Sequence, residues 1–310
     1  MPTNSRTIRN TSKPPVVVNV PTVNDLTDAD GKNWINPTDN PEQSKAQIEK
    51  LLNETAATPA PEIKFPDGDI VVLPGGLARK DGLIKTVEVR ELTGEDEESL
   101  AKASQSSNPF TFLDRLLRCG VTRIGDTTDE KLLTQMLIGD REAIILGIRR
   151  ATYGDDIKIN DWTCPDCDNK VELSFTIDDI PSVKLDDPSD AEFEIKLRKG
   201  SVAKVHLATG ADQLAVFEKP DLTQAQRETI LLSRCVISIT DTNGHEKMMA
   251  MFPSMSRSMS VPDRHVILKE LGNRQPGPKY DQIRFNCESC NKEQSVTVSI
   301  GHLFLDFGWF

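Results

Sequence analysis

Two Cys-x-x-Cys pairs constrain this chain more than any other feature: Cys164 with Cys167, and Cys287 with Cys290. Two intervening residues let a tight turn aim both sulfurs at one point, and two such turns supply the four ligands of a tetrahedral site. The fold must therefore bring these distant turns together and carry residues 168–286 as an insertion between them. The flanks repeat as well. Asp161-Trp162-Thr163 precedes the first pair and Arg284-Phe285-Asn286 the second, so an aromatic residue stands two positions before each. A period-2 strand follows each pair, with Leu173, Phe175 and Ile177 corresponding to Val296, Val298 and Ile300. Asp168 and Asn291 follow the second cysteines, where such turns need a left-handed backbone; Asp and Asn are among the few types other than Gly that tolerate it. The pattern predicts one structural Zn2+ per chain, held by Cys164, Cys167, Cys287 and Cys290 in a split zinc ribbon.

Other uses of these cysteines agree less well with the pattern. A redox dithiol needs one pair, usually in a βαβ context that neither pair has. Catalytic zinc keeps an open position and commonly includes His or carboxylate ligands, whereas four sulfurs leave no opening for substrate. A nucleic-acid ribbon is the sharper alternative, but Asp155, Asp156, Asp161, Asp166 and Asp168 surround the first turn and would repel phosphates. The four histidines, His206, His245, His265 and His302, show neither metal spacing nor a nucleophile signature. No Walker loop and no Gly-x-Gly-x-x-Gly preceding a helix is present, so the expectation is a protein that is not an enzyme. Cys119 and Cys235 read as small core hydrophobes at helix ends.

Around this site the chain divides in three. Residues 1–62 are rich in Pro, Thr, Asn and Asp and read as an arm, flexible or ordered on a partner. Within it, Val16 to Val20 is β-prone and suits addition to a sheet edge, and Asn40-Pro41-Glu42-Gln43 opens a helix with Ile48, Leu51, Leu52 and Ala56 on one face. Residues 63–154 predict a β-hairpin plus a helical unit. Its strands are Ile63–Leu73 and Leu83–Val89, broken at Gly75-Gly76. Its helices follow the Thr93/Asp96 capping pattern, run from Pro109 to Cys119 with Gly120 as stop, and then over Glu130–Leu137 and Asp140–Tyr153. Residues 155–310 predict the ribbon halves (155–180 and 281–302), an α+β insertion at 181–280 and an aromatic tail. In the insertion, strands at Glu192–Leu197 and Ala203–Leu207 flank a Lys199-Gly200 turn. Capped helices follow Thr209, Thr223 (through Val236) and Ser260 (to Gly272), so the segment reads as mostly helical after residue 209. The fold class is thus α+β: an extended arm, a helical unit, and a split zinc ribbon with a mixed α/β insertion.

Composition narrows the partners. Net charge is −11 and the sequence pI about 5.0, which argues against a broad phosphate-binding face. No apolar run is long enough to span a membrane, and the N-terminus lacks a signal-peptide core, so a reducing cytoplasm is expected, where paired cysteines bind metal. Five of the seven methionines fall within Met248–Met259, and four aromatics crowd Phe304–Phe310. Both segments are candidate contact surfaces, alongside the arm.

Three stretches together resemble the T-even-type baseplate hub and hub-assembly proteins of contractile-tailed phages. They are Thr86–Glu97 (TVEVRELTGEDE), Asp140–Gly154 (DREAIILGIRRATYG) and the Cys-x-x-Cys ten residues on, and the second pair near the C-terminus agrees. The resemblance covers roughly residues 86–305. It implies a non-enzymatic virion component of the tail baseplate, present in the host cytoplasm during assembly, with other baseplate and tail proteins as partners and no nucleic acid or membrane. A transient hub-assembly chaperone and a zinc-ribbon nucleic-acid-associated factor are the alternatives. The arm at 1–62 departs from the family, which is often shorter.

Overall fold

The computed structural model describes residues 45, 69–106, 108–252, 254–299 and 303–304; apart from Lys45 these belong to the unit Phe65–Phe310. The expectations for the arm, for Ile300 and for residues 305–310 lie outside the described residues.

β1 (Asp69–Arg79) and β2 (Gly82–Val89) form an antiparallel hairpin. Gly75-Gly76, expected to separate the strands, instead lies inside β1, where the register shifts between Val72 and Leu77. The reason is a close approach: the Gly75 N–H donates to the buried Asp140 Oδ1 at 2.6 Å, and Gly76 takes φ 74°. α1 (Gly94–Ser104) starts at the expected capping box, with Thr93 and Asp96 exchanging side-chain-to-backbone hydrogen bonds. α2 (Pro109–Gly120) is capped by Asn108. Gly120 does not stop this helix in a left-handed turn. It is the last helical residue, packed where a Cβ would run into Ile148, and the chain passes directly into β3 (Val121–Ile124), which pairs with β2. The helical unit therefore contains a strand the sequence did not reveal. The helix expected over Glu130–Leu137 shrinks to α3 (Leu132–Gln135), since Leu137 turns extended to bridge Thr209. α4 (Ile138–Tyr153) then begins two residues earlier than expected.

Two hairpin strands follow, β4 (Asp156–Thr163) and β5 (Lys170–Thr176), then the short β6 (Ser182–Val183). The insertion carries β7 (Glu192–Lys196), β8 (Val202–His206), α5 (Gly210–Phe217), α6 (Gln224–Cys235), β9 (Val236–Thr240), β10 (Glu246–Met248), α7 (Met255–Ser258) and α8 (Val261–Arg274). Its strands form one antiparallel sheet ordered β10-β9-β8-β7. After residue 209 the segment is mostly helical, as expected, but β9 and β10 add two strands that were not expected there. Val236 ends α6 and opens β9, whose β-branched residues Val236, Ile237, Ile239 and Thr240 favour a half-buried sheet position. α8 runs through Gly272 to Arg274. β11 (Gly277–Pro278) returns to pair with β6, and β12 (Ile283–Asn286) and β13 (Glu293–Val296) form the last hairpin.

Two cores result. The first joins Leu73, Val87 and Val89 of the sheet, Leu100, Leu116, Ile144 and Ile148 of the helices, and Ile157, Leu173, Ile283 and Val296 of both hairpins. Leu303 and Phe304 complete it, and Phe304 meets Tyr153 edge-on at 6.3 Å. Phe304 thus belongs to the chain's own core rather than to a partner surface. The second core lies in the insertion, with Ile195, Val205, Leu232, Cys235, Val236, Ile267 and Leu271. α4 serves both: it is buried along most of its faces, and Ile138 at its start packs on the second core. No helix of the described residues is long and apolar enough to cross a membrane.

Candidate metal centre

Each cysteine turn is built by the same backbone bonds. In the first, the Asp168 N–H donates to the Cys164 carbonyl at 2.9 Å and the Cys164 N–H to the Asn169 carbonyl at 3.0 Å. In the second, Asn291 donates to Cys287 at 2.7 Å and Cys287 to Lys292 at 2.9 Å. Asp168 and Asn291 take φ of 56° and 55°, the left-handed conformation expected of these positions. β4-β5 carries one turn and β12-β13 the other.

The turns face each other. The four sulfurs lie within 4.8 Å of one another, with Cys164–Cys290 and Cys167–Cys287 both at 3.9 Å. A tetrahedron of metal–sulfur bonds of about 2.3 Å has sulfur–sulfur edges of about 3.8 Å, so the spacing suits one ion and is far too long for disulfides. Cys164 and Cys287 are buried, while Cys167 and Cys290 sit at the rim. The clustered thiols perturb one another in opposite directions. The Cys290 N–H, with that of Ser289, outweighs desolvation and pulls Cys287 down to about 7. The Asn169 N–H pulls on Cys167, but desolvation and the neighbouring sulfurs outweigh it and push that thiol up to about 12. Four thiolates in this space need a cation among them.

Contacts that sequence reasoning missed lock the turns together. Asp166, inside the first, accepts from Lys292 Nζ and from the buried Gln294 Nε2, each at 2.6 Å. The Lys292 ammonium, helped by Gln294, holds its carboxyl below the usual carboxylate range. In the sequence Asp166 reads only as a phosphate-repelling charge, and the repeat aligns it with Ser289, so nothing there announces its partners Lys292 and Gln294. The matched aromatics also meet, Trp162 and Phe285 packing edge-on at 5.0 Å. At the end of β4 away from the cysteines, buried Arg149 donates to the carbonyls of Leu303, Gly154 and Asp156 at 2.7–2.9 Å.

A second group of ligand-type side chains, His206, Asp212 and Cys235, also converges within 4.8 Å. Two of its three side chains are already engaged. The His206 ring nitrogens sit 2.9 Å from the Leu207 and Arg234 carbonyls, and Asp212 accepts from Thr209 and from Arg234 Nε at 2.7 Å. Burial pushes the Cys235 thiol up to about 12, as expected for a core residue. This is a packing junction. Of the methionine segment, Met249 is buried and Met255 and Met259 pack on the second core, while Met251 (73% exposed) and Phe252 (48%) remain outside.

Fold and site define a mixed α/β protein with several small sheets, whose one prominent cluster among the described residues is a four-cysteine group joining two hairpins. Its relatives are found by sequence: the profile of the T4 bacteriophage base plate protein family matches residues 76–305, and the chain belongs to that family. Membership makes it a structural protein of the baseplate and implies a place in the virion tail, with other baseplate proteins as its partners. No curated protein and no solved structure matches it.

Proposed function

We propose that this chain is a built-in baseplate subunit that holds neighbouring proteins together, with one structural Zn2+ bound by Cys164, Cys167, Cys287 and Cys290 stiffening the surface it presents. The observation that carries the reading is the convergence of four sulfurs from two matching turns at metal-compatible spacing. Bound there, zinc would act as a cross-link and not as a reaction centre, since four sulfur ligands leave no open position. The arm at 1–62 and the exposed Met251 and Phe252 are the segments we assign to neighbours.

Quantitative mass spectrometry of purified virions tests the role. A built-in subunit appears at fixed copy number in mature particles. A chain abundant in assembly intermediates and missing from particles would sink this reading in favour of an assembly factor. Metal analysis of the purified chain should give one zinc per polypeptide.

A further inference from the structure

The two hairpins of the cysteine site each contain two strands, so every one of their strands has one open edge. A cavity of about 350 Å³ lies between them. Its walls include five consecutive residues of β5, Val171 to Phe175, and all four of β12, Ile283 to Asn286; β4 contributes none and β13 only Val296. Consecutive residues point alternately to opposite faces of a strand, so a cavity that touches all of them runs along the strand edge rather than over one face. The open backbone edges of β5 and β12 therefore face the same slot. Among the described residues, neither edge receives a backbone hydrogen bond beyond the pairings to β4 and β13.

The side chains define what such a slot would accept. Val171, Leu173 and Ile283 are buried, with Phe175 and Phe285 half-buried, giving one apolar wall. Glu172, Ser174, Arg284, Asn286 and Glu288 are exposed at the other. Arg284 is already paired with Glu293, at 3.6 Å, so Glu172, Glu288 and the nearby Asp179 leave the rim acidic. We propose that this slot receives one extended strand from a neighbouring protein, apolar at alternate positions with lysine or arginine between them. It pairs with β5 on one side and β12 on the other and merges the two hairpins into one sheet. Main-chain bonds would supply much of the affinity, and the apolar wall and acidic rim the selectivity. The slot is independent of the baseplate reading: its failure would leave virion incorporation untouched, and absence from virions would leave peptide binding untouched.

The test uses the full-length chain and a capped heptapeptide alternating lysine with valine, followed by amide NMR. Shifts should concentrate at 171–175 and 283–286. A peptide with glutamate for lysine should bind more weakly, by about two- to fivefold for each exposed charge contact. A peptide with a central proline should lose binding, because it lacks a ladder donor. Glu172→Lys should narrow the preference for the lysine peptide. The proposal is overturned by shifts elsewhere, by equal binding of the proline peptide, or by no shifts at millimolar peptide. Concentration-dependent dimerisation that the lysine peptide reverses would put a second copy in the slot and overturn the assignment to a different protein.

Discussion

Removing one sulfur, by Cys290→Ser, tests the metal cross-link most directly. Cys167 and Cys287 stand 120 residues apart in sequence, and a tie across a loop of that length restricts the unfolded chain by about 5 kcal/mol on chain-entropy reasoning. Structural zinc in small domains contributes more, on the order of 10 kcal/mol, because there it supplies most of the core. Here Ile157, Ile159, Val171, Leu173, Ile283 and Val296 already anchor the hairpins in the first core, so the smaller figure applies. The sequence alone suggests that metal loss loosens residues 160–300. The structure narrows this, since the second core and the β6–β11 pairing hold the insertion without help from the cysteines. Hydrogen exchange read by mass spectrometry, with and without chelator, should show lost protection at 156–180 and 281–299 and retained protection at 192–240. The wild type should carry one zinc, the variant none, and denaturant unfolding should show a loss of roughly 5 kcal/mol. A metal-free wild type with slow exchange in both hairpins would refute the reasoning, as would protection lost evenly across the insertion.

Three further perturbations probe the body that positions the site. Arg149→Met strips donors from three carbonyls in or near the first core and should cost about 3–5 kcal/mol in chemical denaturation; a change below about 1 kcal/mol would contradict the assigned bonds. Gly139→Ala places a Cβ against the Pro276 carbonyl and backbone of Gly277, so the variant should fail to accumulate as folded protein, and normal yield and melting would remove that contact. Asp140 is raised to about 6 by burial, partly offset by the Gly75 and Gly76 N–H groups. A carboxyl with a raised folded pKa favours the folded state fully below its unfolded value near 4, and that contribution is lost as pH rises through about 6. The span corresponds to about 3 kcal/mol, and Asp140→Asn should flatten the stability profile over pH 4–6. An unchanged slope in the variant would assign the pH dependence to another group, with Glu142, raised to about 7 by burial, as the next to test.

What was legible in the sequence is local. The turns at Cys164 and Cys287 follow from residues within a few positions of one another, including the left-handed Asp168 and Asn291. The caps at Thr93, Thr209 and Thr223 are likewise three-residue patterns, and all three open helices. Errors fall where a distant contact decides. Gly75 reads as a break until Asp140, far along the chain, takes its N–H. β3 and β9 each follow a helix without an intervening loop, so no turn signal announces them, and their hydrogen bonds come from strands elsewhere. The convergence of the two cysteine turns was legible for another reason: it rests on chemistry shared by two distant places, so it needs no knowledge of the chain between. The tie of Asp166 to Lys292 and Gln294 was not, because single charges beside a turn have many possible partners.

The proposed metal and the proposed strand slot would act on the same two hairpins, which would link them energetically. β5 leads out of the first cysteine turn and β12 leads into the second, so the distance across the slot is set by how firmly the turns are joined. Asp166, Lys292 and Gln294 hold them at one end, but the Asp166–Lys292 pair is exposed and contributes modestly on its own. With the four sulfurs tied to one ion, the open edges of β5 and β12 stand at one spacing. Without it, they sample several, and an incoming strand must fix that spacing at its own expense. Metal loading should therefore tighten binding of the lysine–valine peptide. By thermodynamic reciprocity the peptide should tighten zinc binding by the same factor, about fivefold or more if the coupling is of ordinary size. Peptide titrations of the zinc-loaded and chelator-stripped chain, paired with competition of a zinc indicator in the presence and absence of peptide, measure both sides of this cycle. Equal peptide affinity in the two states would show that the hairpins keep their spacing through the first core alone, and that the cysteines stabilise the fold without shaping the slot.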